Sequence, residues 1–102
     1  MYKICGYVPE SHLEIVKNAM FDAGAGRIGE YDHCAWQTLG QGQFRPLAKS
    51  QAFIGEKYQV EIVTEYCVEM VCADEYIEDT IQALKASHPY EEPAFQYWLL
   101  VN

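Results

Sequence analysis

The sequence predicts an α+β fold, a four-stranded antiparallel sheet with two helices on one face, and three observations carry that expectation. Strand-like and helix-like segments follow one another as β-α-β-β-α-β, the split βαβ order. Two stretches place apolar residues at helical spacing: Leu13, Val16, Ala19, Met20 and Ala23, and then Ile77, Ile81 and Leu84. The closing segment, Phe95 to Val101, alternates like a strand and has apolar groups on both of its sides.

Taken in order, Tyr2 to Val8 reads as the first strand, interrupted in character only by Gly6 and ended by Pro9. Ser11 followed three residues later by Glu14 spells a capping box, which predicts a helix beginning there and running to about Ala23, where Gly24 stops it. Extended character returns from Tyr31 to Leu39. The run Gly40-Gln41-Gly42 then predicts a turn or bulge before Gln43 to Arg45, and hence a broken hairpin. Tyr58 to Cys72 is the longest strand candidate, with Val60, Ile62, Tyr66, Val68 and Met70 on one side and Glu61, Glu65 and Glu69 on the other. Its length suggests a bend or bulge. Asp74 offers an N-cap to the second helix, and Lys85 suits its C-terminal end. His88-Pro89 forces extended backbone before the last strand.

That order completes a ferredoxin-like βαββαβ sandwich and leaves one sheet face without cover from its own chain. Self-association through that face or a strand edge is the economical way to cover it, so a homo-oligomer is expected. With 102 residues, half of them apolar and 14 aromatic, the chain has material for one core, and residues 1–102 are expected to form a single domain. Seven basic residues stand against fifteen acidic ones, and the formal charge is −8. The basic residues do not cluster, which argues against nucleic acid and membrane surfaces as partners. No apolar run reaches the roughly 20 residues that span a bilayer, and the chain opens on a strand-like segment instead of a leader, so a soluble cytoplasmic protein is expected. The cysteines Cys5, Cys34, Cys67 and Cys72 lack paired C-x-x-C spacing, which points away from a zinc knuckle or a disulfide framework.

Four segments carry candidate chemistry. Gly24-Ala25-Gly26-Arg27-Ile28-Gly29 spells G-x-G-x-x-G, yet it follows a helix and precedes a strand, the reverse of a dinucleotide site. It reads as a helix C-cap and connection, or as a loop whose N–H groups and Arg27 hold a phosphate or carboxylate. In Tyr31-Asp32-His33-Cys34, an imidazole and a thiol could serve a soft or borderline metal, although neighbours on a strand point to opposite faces. His88-Pro89-Tyr90-Glu91-Glu92-Pro93 is the densest polar cluster. It is either a rigid connector with solvated acids or a shallow metal or ligand site near a subunit boundary. Phe44 and Arg45, beside the Gly40–Gly42 turn, could grip an acidic partner, or could simply form a hairpin tip with Phe44 docked on the core. The Glu61, Glu65 and Glu69 stripe reads as a solvated strand face.

Read in sequence, Gly24-Ala25-Gly26-x-Ile28-Gly29-x-Tyr31-x-x-Cys34, Gly42-x-Phe44-Arg45-Pro46, Ile54-Gly55, Glu65 and His88-Pro89-Tyr90-Glu91-Glu92-Pro93-Ala94 span nearly the whole chain. This series resembles the PII/CutA-like domain inserted in many bacterial proteins of the Nif-three-like, dinuclear-metal-centre family. The resemblance implies CutA-like trimeric packing and an insert living as its own chain. It does not bring the family's metal-dependent hydrolase activity, because the two metal ions of that family are held by flanking lobes. The expectation is a non-catalytic trimeric binding or regulatory module for a small ligand or a divalent metal. Arg27, Tyr31, Phe44, Arg45, Tyr90 and Glu91 are the candidate ligand contacts, and His33, Cys34 and His88 the candidate metal ligands. Two alternatives stand beside it: an accessory domain acting with a separate catalytic chain of a metal-dependent hydrolase, and a metalloenzyme using His33, Cys34, His88 and Glu91.

Overall fold

A computed structural model describes residues 1–101. Four strands, β1 (Tyr2–Pro9), β2 (Trp36–Phe44), β3 (Glu61–Cys72) and β4 (Phe95–Leu99), alternate with two helices, α1 (Leu13–Asp22) and α2 (Ile77–Ser87), in the expected order. The strands form one sheet in the order β2-β3-β1-β4, with every neighbouring pair antiparallel. β1 and β3 are therefore central and β2 and β4 are edges.

Alternation assigns the two faces. Ile4 and Val8 of β1 and Val68 and Met70 of β3 pack against Val16 and Met20 of α1 and Ile81 and Leu84 of α2. Each such aliphatic side chain, withdrawn from water, favours the fold by about 1.5–3 kcal/mol. The opposite face carries Lys3, Cys5 and Tyr7 of β1, Glu65, Cys67 and Glu69 of β3, and Trp98 of β4, and no helix of the chain covers it. Lys3 meets Glu69 across this face at 3.5 Å, so the acidic stripe is partly paired.

Several local expectations are corrected. Ser11 caps nothing. Each helix is entered through a single 3-10 turn, Glu10–His12 and Asp74–Tyr76, and neither N-cap has a side-chain hydrogen bond. Ser11 Oγ instead lies 2.8 Å from His12 Nδ1, and Asp74 pairs with the N-terminal ammonium. Gly40-Gln41-Gly42 is not a turn, because β2 passes straight through it in unbroken register with Glu65, Thr64 and Val63 of β3. The hairpin turns later, in the segment 45–60. β3 is likewise free of bulges along both ladders and starts at Glu61, since Tyr58 holds a left-handed backbone with φ 63°. Residues 31–35 lie before β2, tied by a bridge between Ile28 and Tyr31.

The β2–β3 hairpin reaches past the helices. The Cα radius of gyration is 14.3 Å and the principal extents are 46 × 24 × 24 Å, where about 13 Å is typical of a compact chain this long. Along that arm the helix-side residues Leu39 and Ile62 stay 60% and 59% exposed because neither helix extends far enough to meet them.

Candidate functional site

Gly40 and Gly42 are two residues apart on β2 and so share one face of the sheet, the face without helices. Two successive positions without side chains leave a trough there. Its floor is Glu65 and Cys67 of β3 with Tyr7 of β1, one wall is β2 from Thr38 to Phe44, and the other is the connector between α2 and β4. The segment after β2 folds back to bring Pro46 and Phe53 over it, enclosing a cavity of about 530 Å³.

Hydrogen bonds hold these walls. The Tyr58 N–H donates to the Pro46 carbonyl at 2.6 Å, pinching the long loop, and the Gln51 N–H donates to Glu91 Oε1 at 2.9 Å, tying loop to connector. His88 is 7% exposed; its Nε2–H donates to the Tyr7 carbonyl at 2.7 Å while Nδ1 accepts the Tyr90 N–H at 3.2 Å. Those partners fix the ring as the neutral Nε2–H tautomer, and burial lowers its pKa from the ordinary value. Tyr90 stands at the centre of an aromatic group, with ring centroids 4.9 Å from His88, 5.8 Å from Phe44 and 6.3 Å from Phe53.

The Tyr90 hydroxyl is buried and has no hydrogen bond of standard geometry. Burial first, and then the Glu65 carboxylate, hold the phenol well above its usual pKa, so it remains a donor. Glu65 pairs with Gly40, and its side chain reaches diagonally into the space that the neighbouring Gly42 leaves free, where a Cβ would overlap the carboxylate. Beneath Tyr7, the sulfurs of Cys5 and Cys67 are 3.3 Å apart as free thiols, and burial followed by the Cys5 contact pushes Cys67 up to about 11.

The nine residues singled out in the sequence fall into separate places. Phe44, Tyr90 and Glu91 meet at the cavity, while Arg45 lies just outside it in a groove with Glu91 and Glu92. Arg27 and Tyr31 belong to the loop after α1, where the Arg27 guanidinium stacks over the Tyr76 ring at 5.4 Å and Tyr31 is 75% exposed. His33 rests against Phe21 at the C-terminal end of α1, with Nδ1 3.2 Å from Asp32, and the Cys34 thiol faces the Asp32 carbonyl at 3.6 Å. His88 lies near the other end of that helix, which is about 15 Å long, and both of its ring nitrogens are already engaged. Among the described residues no three His, Cys, Asp or Glu side chains gather as a metal site, so this chain's donors do not fit a dinuclear centre.

Tyr7, Phe53, Glu65 and Cys67 line the cavity without having been expected there. The signal for Glu65 was present in the strand alternation, which places it on the face of Gly40 and Gly42. Phe53 carried no such signal, because it sits in an irregular loop.

No family model matches the chain. Among curated proteins, the GTP cyclohydrolase 1 type 2 homolog of Mycobacterium tuberculosis is 44% identical over 95 residues, which is 93% of this chain and 25% of that protein. The homolog of the same name in Bacillus subtilis is 43% identical over 96 residues, covering 94% and 26% respectively. The chain thus spans about a quarter of the length of the curated relatives it matches. A Bacillus cereus protein related to NIF3 superposes on 99% of the chain, and on 26% of its own length, with a TM-score of 0.82 at 37% identity. The periplasmic divalent cation tolerance protein CutA of Archaeoglobus fulgidus superposes on the whole chain and 86% of its own, with a TM-score of 0.68 at 16% identity, a likeness of fold alone.

Proposed function

The chain corresponds to one ferredoxin-like, PII/CutA-like domain of the NIF3-related proteins, and from that premise we propose that it is a non-catalytic, trimeric binding module whose ligand site is the cavity between β2, β3 and the α2–β4 connector. The cavity itself carries this reading. Small-molecule sites are mostly apolar hollows of about 300–1,000 Å³ with a few placed polar groups, and here aromatic walls surround the Glu65 carboxylate and an unpartnered Tyr90 hydroxyl. The side chains that could perform chemistry are held otherwise. The Cys67 thiol stays protonated near neutral pH, and His88 uses both nitrogens to hold the wall. Four free thiols, one pair within 3.3 Å, suit the reducing cytoplasm.

Trimeric assembly is supported by the uncovered sheet face and by the exposed apolar residues of the projecting hairpin. A native mass spectrum of untagged protein, purified without chelator, tests the whole reading. The expected species has three times the 11.7 kDa chain mass and no stoichiometric metal. A monomer at micromolar concentration, or a metal ion in every chain, overturns it.

A second reading is favoured by the quarter-length coverage: an accessory domain that works beside a separate catalytic chain of a metal-dependent hydrolase. A catalytic chain retained at fixed stoichiometry through tandem purification would establish it over an independent module.

A further inference from the structure

The cavity's charge and its aromatic walls are matched to one kind of guest. Its lining contains the carboxylates Glu65, Glu91 and Glu92 and neither lysine nor arginine. Of the three, Glu91 already accepts the Gln51 N–H and Glu92 is exposed at the rim, so Glu65 is the one on the floor. Arg45 and Lys49 lie outside the cavity, in the adjoining groove beside Glu91 and Glu92, and Lys3 on the same sheet face is engaged by Glu69, which leaves the floor carboxylate Glu65 without a basic neighbour in the lining. Phe44, Phe53 and Tyr90 surround the space above the floor with ring centroids 5.8 and 6.3 Å apart at tilted angles, so their faces and edges do not form one flat stack. Tilted aromatic rings over a carboxylate make a cage for positive charge, since each ring face carries the negative part of its quadrupole. An anion would meet three carboxylates, with neutral hydroxyl and amide donors such as Tyr7, Thr38 and Tyr90 and no positive charge in the lining to offset them.

The geometry points to an organic cation as the ligand: an ammonium or amidinium group on an apolar or aromatic body, with the charge between Glu65 and the rings of Phe44, Phe53 and Tyr90. This inference rests on the cavity being the ligand site. The volume of about 530 Å³ admits a body well beyond a bare ammonium ion, and the apolar walls provide for it. The buried Tyr90 hydroxyl adds directional selectivity, offering its proton to an acceptor on that body while the Glu65 carboxylate takes the charge.

Trimethylphenylammonium, its neutral isostere tert-butylbenzene and the anion 4-tert-butylbenzoate separate the charge from the shape. Binding is read from chemical-shift changes of the cavity residues in ¹H–¹⁵N and aromatic ¹H–¹³C spectra of the full chain. The cation is expected to bind at least about tenfold more tightly than the neutral isostere, the factor that a desolvated cation–π contact of about 1.4 kcal/mol supplies. Glu65→Gln, which keeps the side chain's size beside Gly42, should remove most of that preference while leaving the spectrum of the rest of the sheet unchanged. Preferential binding of the neutral or anionic probe at these residues overturns the charge assignment but leaves the cavity as a site. Failure of all three probes to shift any cavity signal at millimolar concentration overturns both.

Discussion

At His88 two hydrogen bonds decide the protonation state. Nε2–H reaches the Tyr7 carbonyl and Nδ1 receives the Tyr90 N–H, so a second proton would have to displace a bond inside a buried site. Burial lowers the pKa from the ordinary 6.5, and the nearby His12 adds to that, while the Tyr7 carbonyl and Glu65 act in the other direction. A base whose folded pKa is depressed stabilises the fold above its unfolded pKa and loses that contribution as pH falls through the folded value. Melting of the wild type should therefore weaken more steeply below about pH 6.5 than melting of His88→Gln. At pH 7.5 the substitution itself should cost about 1–3 kcal/mol, because a flexible glutamine amide does not hold the Tyr7 carbonyl and the Tyr90 N–H together as the rigid imidazole does. Equal pH slopes for the two proteins would remove His88 from this role. The sequence showed an imidazole between a helix and a proline, and a metal ligand is a fair reading of that. What it could not show is Tyr7, 81 residues away, whose carbonyl occupies the ring.

Glycines show at the level of elements why some local structure is readable and some is not. Apolar spacing located both helices because burial on one face imposes it, and the register of β1, β3 and β4 follows from alternation. The helix entries were not readable, since a 3-10 turn and a Ser-x-x-Glu box draw on the same residue types. Gly40 and Gly42 read as a turn because glycine is frequent in turns, yet here they clear space on a strand face. Two identical substitutions separate these uses. Gly26 has φ 78°, and a Cβ there would stand 2.8 Å from the Phe21 ring and 2.9 Å from the Cys34 carbonyl. Gly26→Ala should cost about 1–3 kcal/mol, through the left-handed backbone and a neighbour that cannot move aside. Gly42→Ala meets only the end of the Glu65 side chain, which can swing away. Its stability should change by less than about 1 kcal/mol, while the displaced carboxylate weakens cation binding. Urea midpoints of the two variants check the contrast, and a loss at Gly42 as large as at Gly26 would mean that Glu65 is locked in place.

For the whole molecule, assembly is decided by which surfaces are left uncovered. The sequence conveyed that one face would be bare, because two helices cover only one side of a four-stranded sheet. It did not convey the reach of the hairpin, since that depends on β2 continuing through Gly40–Gly42. Trp98 lies on the bare face of edge strand β4, 46% exposed and opposite Lys3, and Leu39 lies on edge strand β2, 60% exposed beyond the helices. Neither belongs to the core cluster, so a charge at either position costs the isolated fold little. In a trimer closed through the Trp98 end of the bare face and the β2 edge, leaving the cavity open, each would be buried against a neighbouring copy, where an unpaired carboxylate is strongly unfavourable. Trp98→Glu and Leu39→Glu should therefore shift sedimentation from trimer toward monomer while the far-ultraviolet circular dichroism keeps its α+β form. A trimer that survives both substitutions would place the interface away from both residues, on the outer surfaces of α1 and α2. Lost dichroism in either variant would instead assign that side chain to the fold of the single chain, and a conservative Trp98→Gln or Leu39→Gln pair then distinguishes packing from charge.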